Sequence, residues 1–366
     1  MRLKRCDMDS FSELVVSKGI ICYGIGREFE RIISCYYDYD WVKRITMLVD
    51  GNPNLAGKLK KIGDKSYKIS EVDELLHSNL QNSVILITTL AYSEIIEKLD
   101  SYKELLDVDA YIFYFMFGIP DSKHDFVGKK ETEYIIPPII HYCWFGNKKI
   151  PDTYKKYMET WSKFCPNYEI RKWDENNCNI DEVPYTKEAY SVCKYGFVPD
   201  YFRLKIIYEY GGIYLDTDVE LLKSLDPLRC VPAFCGMQYP GEVAFGLGFG
   251  AVKGHPVIKA MLDSYIDRHF ILENGEMDLT PSPIFQTNDF IKMGYCPKPY
   301  YQEKNGMAVY PVDVLSPKNV HTGELLISDR TVAVHHFDGS WIDSEKRRKR
   351  EDRRLKAESI IMRMNY

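Results

Sequence analysis

Acids and a base stand at chemically useful spacings between Asp200 and Asp218, in the run Asp-Tyr-Phe-Arg-Leu-Lys-Ile-Ile-Tyr-Glu-Tyr-Gly-Gly-Ile-Tyr-Leu-Asp-Thr-Asp. Asp216 and Asp218 are spaced i and i+2 behind the apolar lead-in Ile213-Tyr214-Leu215. On a strand that spacing turns both carboxylates to one face. Mg2+ or Mn2+ takes few protein carboxylates when substrate phosphates complete its shell, so a sparse pair suits metal-assisted work on a phosphorylated donor. An apolar lead-in also argues for a partner or metal, because buried carboxylates need one.

Upstream, Asp200 and Arg203 share a face of a predicted helix at i and i+3. Pro199-Asp200 is a good helix start, and Gly211-Gly212 a stop. Two readings stand side by side. The pair is an N-cap with a surface ion pair, or it holds sugar hydroxyls, the arginine fork also serving near phosphate. His335-His336-Phe337-Asp338-Gly339-Ser340-Trp341 follows a β-like run, and a strand-end histidine can complete a divalent-ion shell. Neighbouring strand residues face opposite ways, so two such histidines seldom serve one ion, and the competing reading makes one of them a hydrogen-bonded structural histidine. Trp144, in Trp144-Phe145-Gly146, sits at the carboxyl end of a predicted parallel strand, where ligands bind in open α/β sheets and an aromatic can stack on a base. A core tryptophan is the competing reading.

These residues need elements to position them, and the 366-residue length points to two domains. Residues 1–117 alternate apolar runs with helical patterns (Gly19–Tyr23, Arg44–Val49, Val84–Thr88, Ala110–Phe115), predicting a parallel sheet covered by helices. The loop Gly24-Ile25-Gly26 with Asp50 resembles a dinucleotide fingerprint, but Phe29 fills the third glycine's place, so the expectation is a degenerate Rossmann-like domain without NAD. Residues 118–133 read as a linker, 134–342 as the site-bearing domain and 343–366 as a basic C-terminal helix. That helix either docks its few apolar residues on a core or touches anionic lipid.

Apolar content of 45% and charged content of 28% are those of a globular chain, and a net charge of −5 argues against nucleic acid as partner. The ten cysteines are scattered without a C-x-x-C pair, and the start of the chain has no apolar export signal. Together these predict reduced thiols and a cytoplasmic setting, peripheral at the membrane if the basic helix binds lipid.

Residues 135–341 resemble glycosyltransferase family 32. This family of D-x-D enzymes includes yeast mannosyltransferases, α-1,4-galactosyltransferases and bacterial capsular polysaccharide enzymes. Pro137-Pro138-Ile139-Ile140-His141-Tyr142-Cys143-Trp144-Phe145-Gly146, the Asp200–Asp218 run and His335-His336 with Ser340-Trp341 carry the resemblance. It implies an α/β GT-A fold, and a retaining transfer from a nucleotide-diphosphate sugar, UDP favoured, to a glycan or lipid-linked acceptor in surface polysaccharide synthesis. It implies roles as well: Trp144 on the base, Asn176 near the nucleotide, Asp200 and Arg203 on the donor sugar, and Asp216 bridging ribose and sugar. Asp218 and His336, with Asp216, would hold Mn2+ or Mg2+, while Tyr214, Ser340 and Trp341 line the donor site. Asp200, Arg203 and Asp216 would thus carry catalysis. Ser282-Pro283 stands where many relatives have Gly-Pro. The rival expectations, both placed on the first domain, are an NAD-linked oxidoreductase and a non-catalytic scaffold.

Overall fold

The computed structural model describes residues 1–36, 39–116, 133–297, 300–339 and 344–364. Its residues fall into two compact units, Met1–Gly118 with His321–Gly323 and Arg348–Tyr366, and Ile119–Val320 with Glu324–Arg347. Ser340 and Trp341, and nearly all of the expected linker, lie outside the described residues. None of the ten cysteines, all among the described residues, forms a disulfide. Among the described residues no helix is long and apolar enough to cross a membrane.

The first unit is built on β1 (Arg2–Leu3), β2 (Gly19–Tyr23), β3 (Ile45–Val49), β4 (Leu59–Ile62), β5 (Lys65–Ser70), β6 (Ser83–Ile87) and β7 (Asp109–Ile112), with α1 (Met8–Leu14), α2 (Arg27–Tyr36), α3 (Val72–Leu76) and α4 (Tyr92–Asp100). Strand order is β1-β7-β6-β2-β3-β5-β4, parallel except for the β4–β5 hairpin. β2 is central and nearly all buried, which is why its residues are an unbroken apolar run. The chain builds outward through β3 to β5, then returns to the other side of β2 with β6, giving the switch point of a doubly wound sheet.

The second unit contains β8 (Ile139–Cys143), α5 (Asp152–Phe164), β9 (Glu169–Trp173), α6 (Pro184–Ser191), α7 (Pro199–Tyr210), β10 (Gly212–Tyr214), β11 (Val219–Leu221), β12 (Ala233–Gln238) and β13 (Glu242–Ala251). It continues through α8 (Pro256–Asp263), α9 (Ser282–Lys292), β14 (Gln302–Lys304), β15 (Met307–Tyr310), α10 (Val312–Leu315) and β16 (Ala333–His335), and α11 (Ser344–Arg363) begins there. One mixed sheet runs β14-β15-β12-β13-β10-β8-β9, and β11 pairs antiparallel with β16 beside it. The expected α/β architecture with parallel strands is present: β9, β8 and β10 are mutually parallel, so their carboxyl ends share one edge.

Candidate functional site

α7 carries the first half of the site. It is buried on nearly every side, from Asp200 to Ile207. A helix apolar all round belongs in an interior, so the two charged groups it brings inside must pair. Arg203 Nη2 lies 2.9 Å from Asp200 Oδ1 and 3.7 Å from Asp216 Oδ1. Asp200 does not cap the helix, because Val198 stands at the cap with helical angles and makes no side-chain cap bond. Instead the carboxylate of Asp200 accepts from Tyr185 Oη at 3.4 Å and from the Ser282 hydroxyl. Burial pushes its carboxyl up against the opposing pull of Arg203.

The carboxylate pair is positioned differently from the sequence expectation. β10 ends at Tyr214, and Asp216 and Asp218 occupy the turn into β11, not one face of a strand. The turn is closed by Val219 N–H donating to the Asp216 carbonyl at 3.1 Å, and pinned by Asp216 N–H donating to Gly246 O at 3.2 Å. Tyr214 Oη donates to Asp216 Oδ1 at 3.0 Å, and the Arg203 guanidinium lies 5.2 Å from the Tyr214 ring centre. Gly246 belongs in the site although nothing local in the sequence marks it.

The histidine also changes. His336, expected from the resemblance as the metal ligand, turns away, with Nε2 2.9 Å from Glu220 Oε2 and its ring stacked on Tyr157. His335 faces the pair, with Nε2 3.2 Å from Asp218 Oδ1 and 3.9 Å from Asp216 Oδ2. The reason is the ladder, in which β16 pairs His335 with Val219 and the next residue points to the opposite side. Asp216, Asp218 and His335 bring ligand atoms within 4.8 Å of one another. Two carboxylates and one imidazole form a set that would hold a divalent cation. Burial raises the Asp218 carboxyl, but the charge and hydrogen bond of His335, with the Asp338 N–H, outweigh it and hold it down to about 2. Burial lowers the His335 imidazole, and Asp218 more than restores it.

Trp144 and Asn176 stand at the ends of the adjacent strands β8 and β9, and the structure gives neither a contact with the Asp-Arg-His cluster. Trp144 donates from Nε1 to Lys148 O at 2.6 Å and meets Tyr154 edge-on. Asn176 donates from Nδ2 to Asp174 at 3.0 Å. The two loops are tied together, because Glu175 accepts from Gly146 N–H and, at 3.1 Å, from Tyr190 Oη. In the first unit, Asp50 Oδ2 accepts from Ile25 N–H at 2.6 Å and its Oδ1 from Asn52 N–H. The chain's own carboxylate thus satisfies a main-chain amide of the glycine loop.

Residues 151–234 match the family described as the glycosyltransferase sugar-binding region containing DXD motif. Within the second unit this segment, from α5 to the start of β12, is thus similar to the sugar-binding region of D-x-D glycosyltransferases. Inositol phosphoceramide mannosyltransferase 3 of Schizosaccharomyces pombe is 32% identical over 127 residues, 34% of this chain and 35% of that protein. Mannosyl phosphorylinositol ceramide synthase of Saccharomyces cerevisiae is 28% identical over 157 residues, 41% of each chain. The matched segments thus span well under half the length of these two relatives. A solved structure, PaToxG glycosyltransferase, shares 18% identity over 43% of this chain and 70% of its own, at a TM-score of 0.33, too low to carry an argument.

Proposed function

We propose that the second unit is a GT-A type, metal-dependent, retaining glycosyltransferase that moves a hexose from a nucleotide-diphosphate sugar to a glycan or lipid-linked acceptor. The convergence of Asp216, Asp218 and His335 beside a buried Asp200–Arg203 pair supports this reading most directly. Asp218 Oδ1, Asp216 and His335 Nε2 are the groups to hold Mn2+ or Mg2+, which when bound neutralises charge on the leaving diphosphate. Arg203, held between two carboxylates, supplies fixed positive charge beside that diphosphate, and needs no reorganisation during the reaction. Asp200, anchored by Tyr185 and Ser282, presents its carboxylate to sugar hydroxyls. The C1–O bond to the diphosphate breaks with its electron pair leaving on phosphate. The acceptor oxygen bonds C1 from the same face and gives its proton to the departing phosphate oxygen. Trp144 takes the base, with UDP as first candidate, and the names of the fungal relatives make mannose the first sugar to try.

The acceptor is a surface glycan or a glycolipid, assembled in the cytoplasm or at its membrane face, with the basic start of α11 as the membrane contact. Two assays test the core of this reading. Asp218→Asn should abolish Mn2+-dependent release of nucleoside diphosphate from a panel of UDP- and GDP-sugars, while the circular dichroism spectrum is unchanged. A variant that releases diphosphate at the wild-type rate, or a wild type indifferent to chelator, sinks the metal role.

A further inference from the structure

Phe337, directly after His335-His336, has φ +55°. A bulky aromatic takes that left-handed conformation only when its surroundings hold it there, and such residues gather at functional sites. Here the turn brings two backbone donors onto one residue. His336 N–H donates to the Asp218 main-chain oxygen at 3.0 Å, and Asp338 N–H donates to Asp218 Oδ2 at 3.0 Å. The Phe337 ring stands edge-on to the His335 imidazole, centroids 4.3 Å apart at 84°. On the far side His336 is clamped by Tyr157, at 4.0 Å and 6°, and by Glu220.

The two oxygens of Asp218 are thereby made unlike. Oδ2 is engaged by the backbone, and Oδ1 is left facing His335 Nε2. An extended residue at 337 would carry the chain onward, taking the Asp338 N–H off Asp218 and the ring off His335 together.

We infer that Phe337 is a positioning residue for the ligand cluster: its left-handed turn fixes Asp218 as a one-oxygen ligand, and its ring fixes the plane of His335. The inference rests on the reading that Asp216, Asp218 and His335 hold a divalent cation. Groups behind the ligands commonly set metal affinity as strongly as this. Phe337 also belongs to the apolar core of the second unit, so lost stability alone would not distinguish the two roles.

The discriminating measurement is Mn2+ binding to the full chain, followed by electron paramagnetic resonance without nucleotide, at a temperature where each variant is folded in chelator. Phe337→Val disfavours the left-handed turn and removes the ring. Phe337→Asn removes the ring but tolerates the turn, and Phe337→Tyr keeps both. The expected result is Mn2+ affinity about 10- to 100-fold weaker in Phe337→Val, an intermediate loss in Phe337→Asn, and near wild-type affinity in Phe337→Tyr. Wild-type affinity in Phe337→Val overturns the positioning role, as does wild-type affinity in Phe337→Asn should the valine variant fail to fold. Asp218→Asn separates the two levels. If it binds Mn2+ as the wild type does, the cation-site reading itself fails and the positioning role falls with it.

Discussion

A methyl group built on Gly246 would lie 2.3 Å from Asp216 Oδ2 and 3.2 Å from Arg203 Nη1. The missing side chain is therefore the space in which the Asp216 carboxylate sits, while the same residue's carbonyl accepts the Asp216 N–H. Gly246→Ala should push the carboxylate away and leave the strand intact, since φ at this position is not left-handed. The expected outcome is a fall of about 100-fold in kcat/KM for diphosphate release, with a melting temperature near wild type. An alanine variant with full activity would remove Gly246 from the site. Asp200, Arg203, Asp216 and Asp218 were legible in the sequence because their spacing within one helix-turn segment is local. The choice of His335 over His336 was not, because it depends on which face of β16 meets β11. Gly246 was invisible for the same reason: its neighbours come from α7 and from the β10–β11 turn.

At the scale of elements, one buried side chain in the middle of β8 fastens the carboxyl end of β9 to the residue that leads into β10. His141 Nε2 lies 2.9 Å from the Gly211 carbonyl and its Nδ1 3.1 Å from Trp173 Nε1. Indole N–H can only donate, so Nδ1 accepts, and Nε2 carries the proton given to Gly211. A side chain on Gly212, at φ +101°, would meet that same imidazole at 2.9 Å. Burial pushes the His141 imidazole down to about 4. The unfolded chain, with an ordinary histidine near ~6.5, binds the proton first, so folding is favoured by neutrality. This contribution is complete above pH ~6.5, is lost progressively as pH falls towards ~4, and amounts to about 3 kcal/mol. Urea unfolding between those limits should show wild-type stability falling with acid more steeply than that of His141→Gln; parallel curves would dismiss the effect. Elements with unbroken apolar runs, such as β2 and β6, were readable along the sequence. The β4–β5 hairpin was not, because lysines on its exposed face hide the alternation. The turn holding Asp216 and Asp218 read as strand because its apolar lead-in is buried like one.

At the scale of the whole chain, α11 shows that sequence order and spatial units are different divisions. Although it follows the second unit in sequence, its residues from Arg348 onward belong to the first. Ala357, Ile360 and Met364 are buried in that unit's core, and Lys356 pairs with Glu94 at 3.3 Å. The apolar residues that could enter a bilayer are therefore largely spent on protein, leaving Leu355 exposed in the middle of the helix and Met362 exposed at its far end from the basic start. Two variants separate the helix's structural contribution from its proposed contact with lipid. Ile360→Ala removes buried methylenes and should cost the first unit about 2–4 kcal/mol, seen as a lower melting transition with donor hydrolysis unchanged at temperatures below it. Reversing Lys346, Arg347 and Lys349 to glutamate touches only exposed groups, so stability should stay near wild type. Sedimentation with vesicles rich in anionic lipid should fall, since each basic residue near such a surface contributes about 1 kcal/mol. Equal sedimentation of the reversed and native chains would leave α11 with a structural part alone.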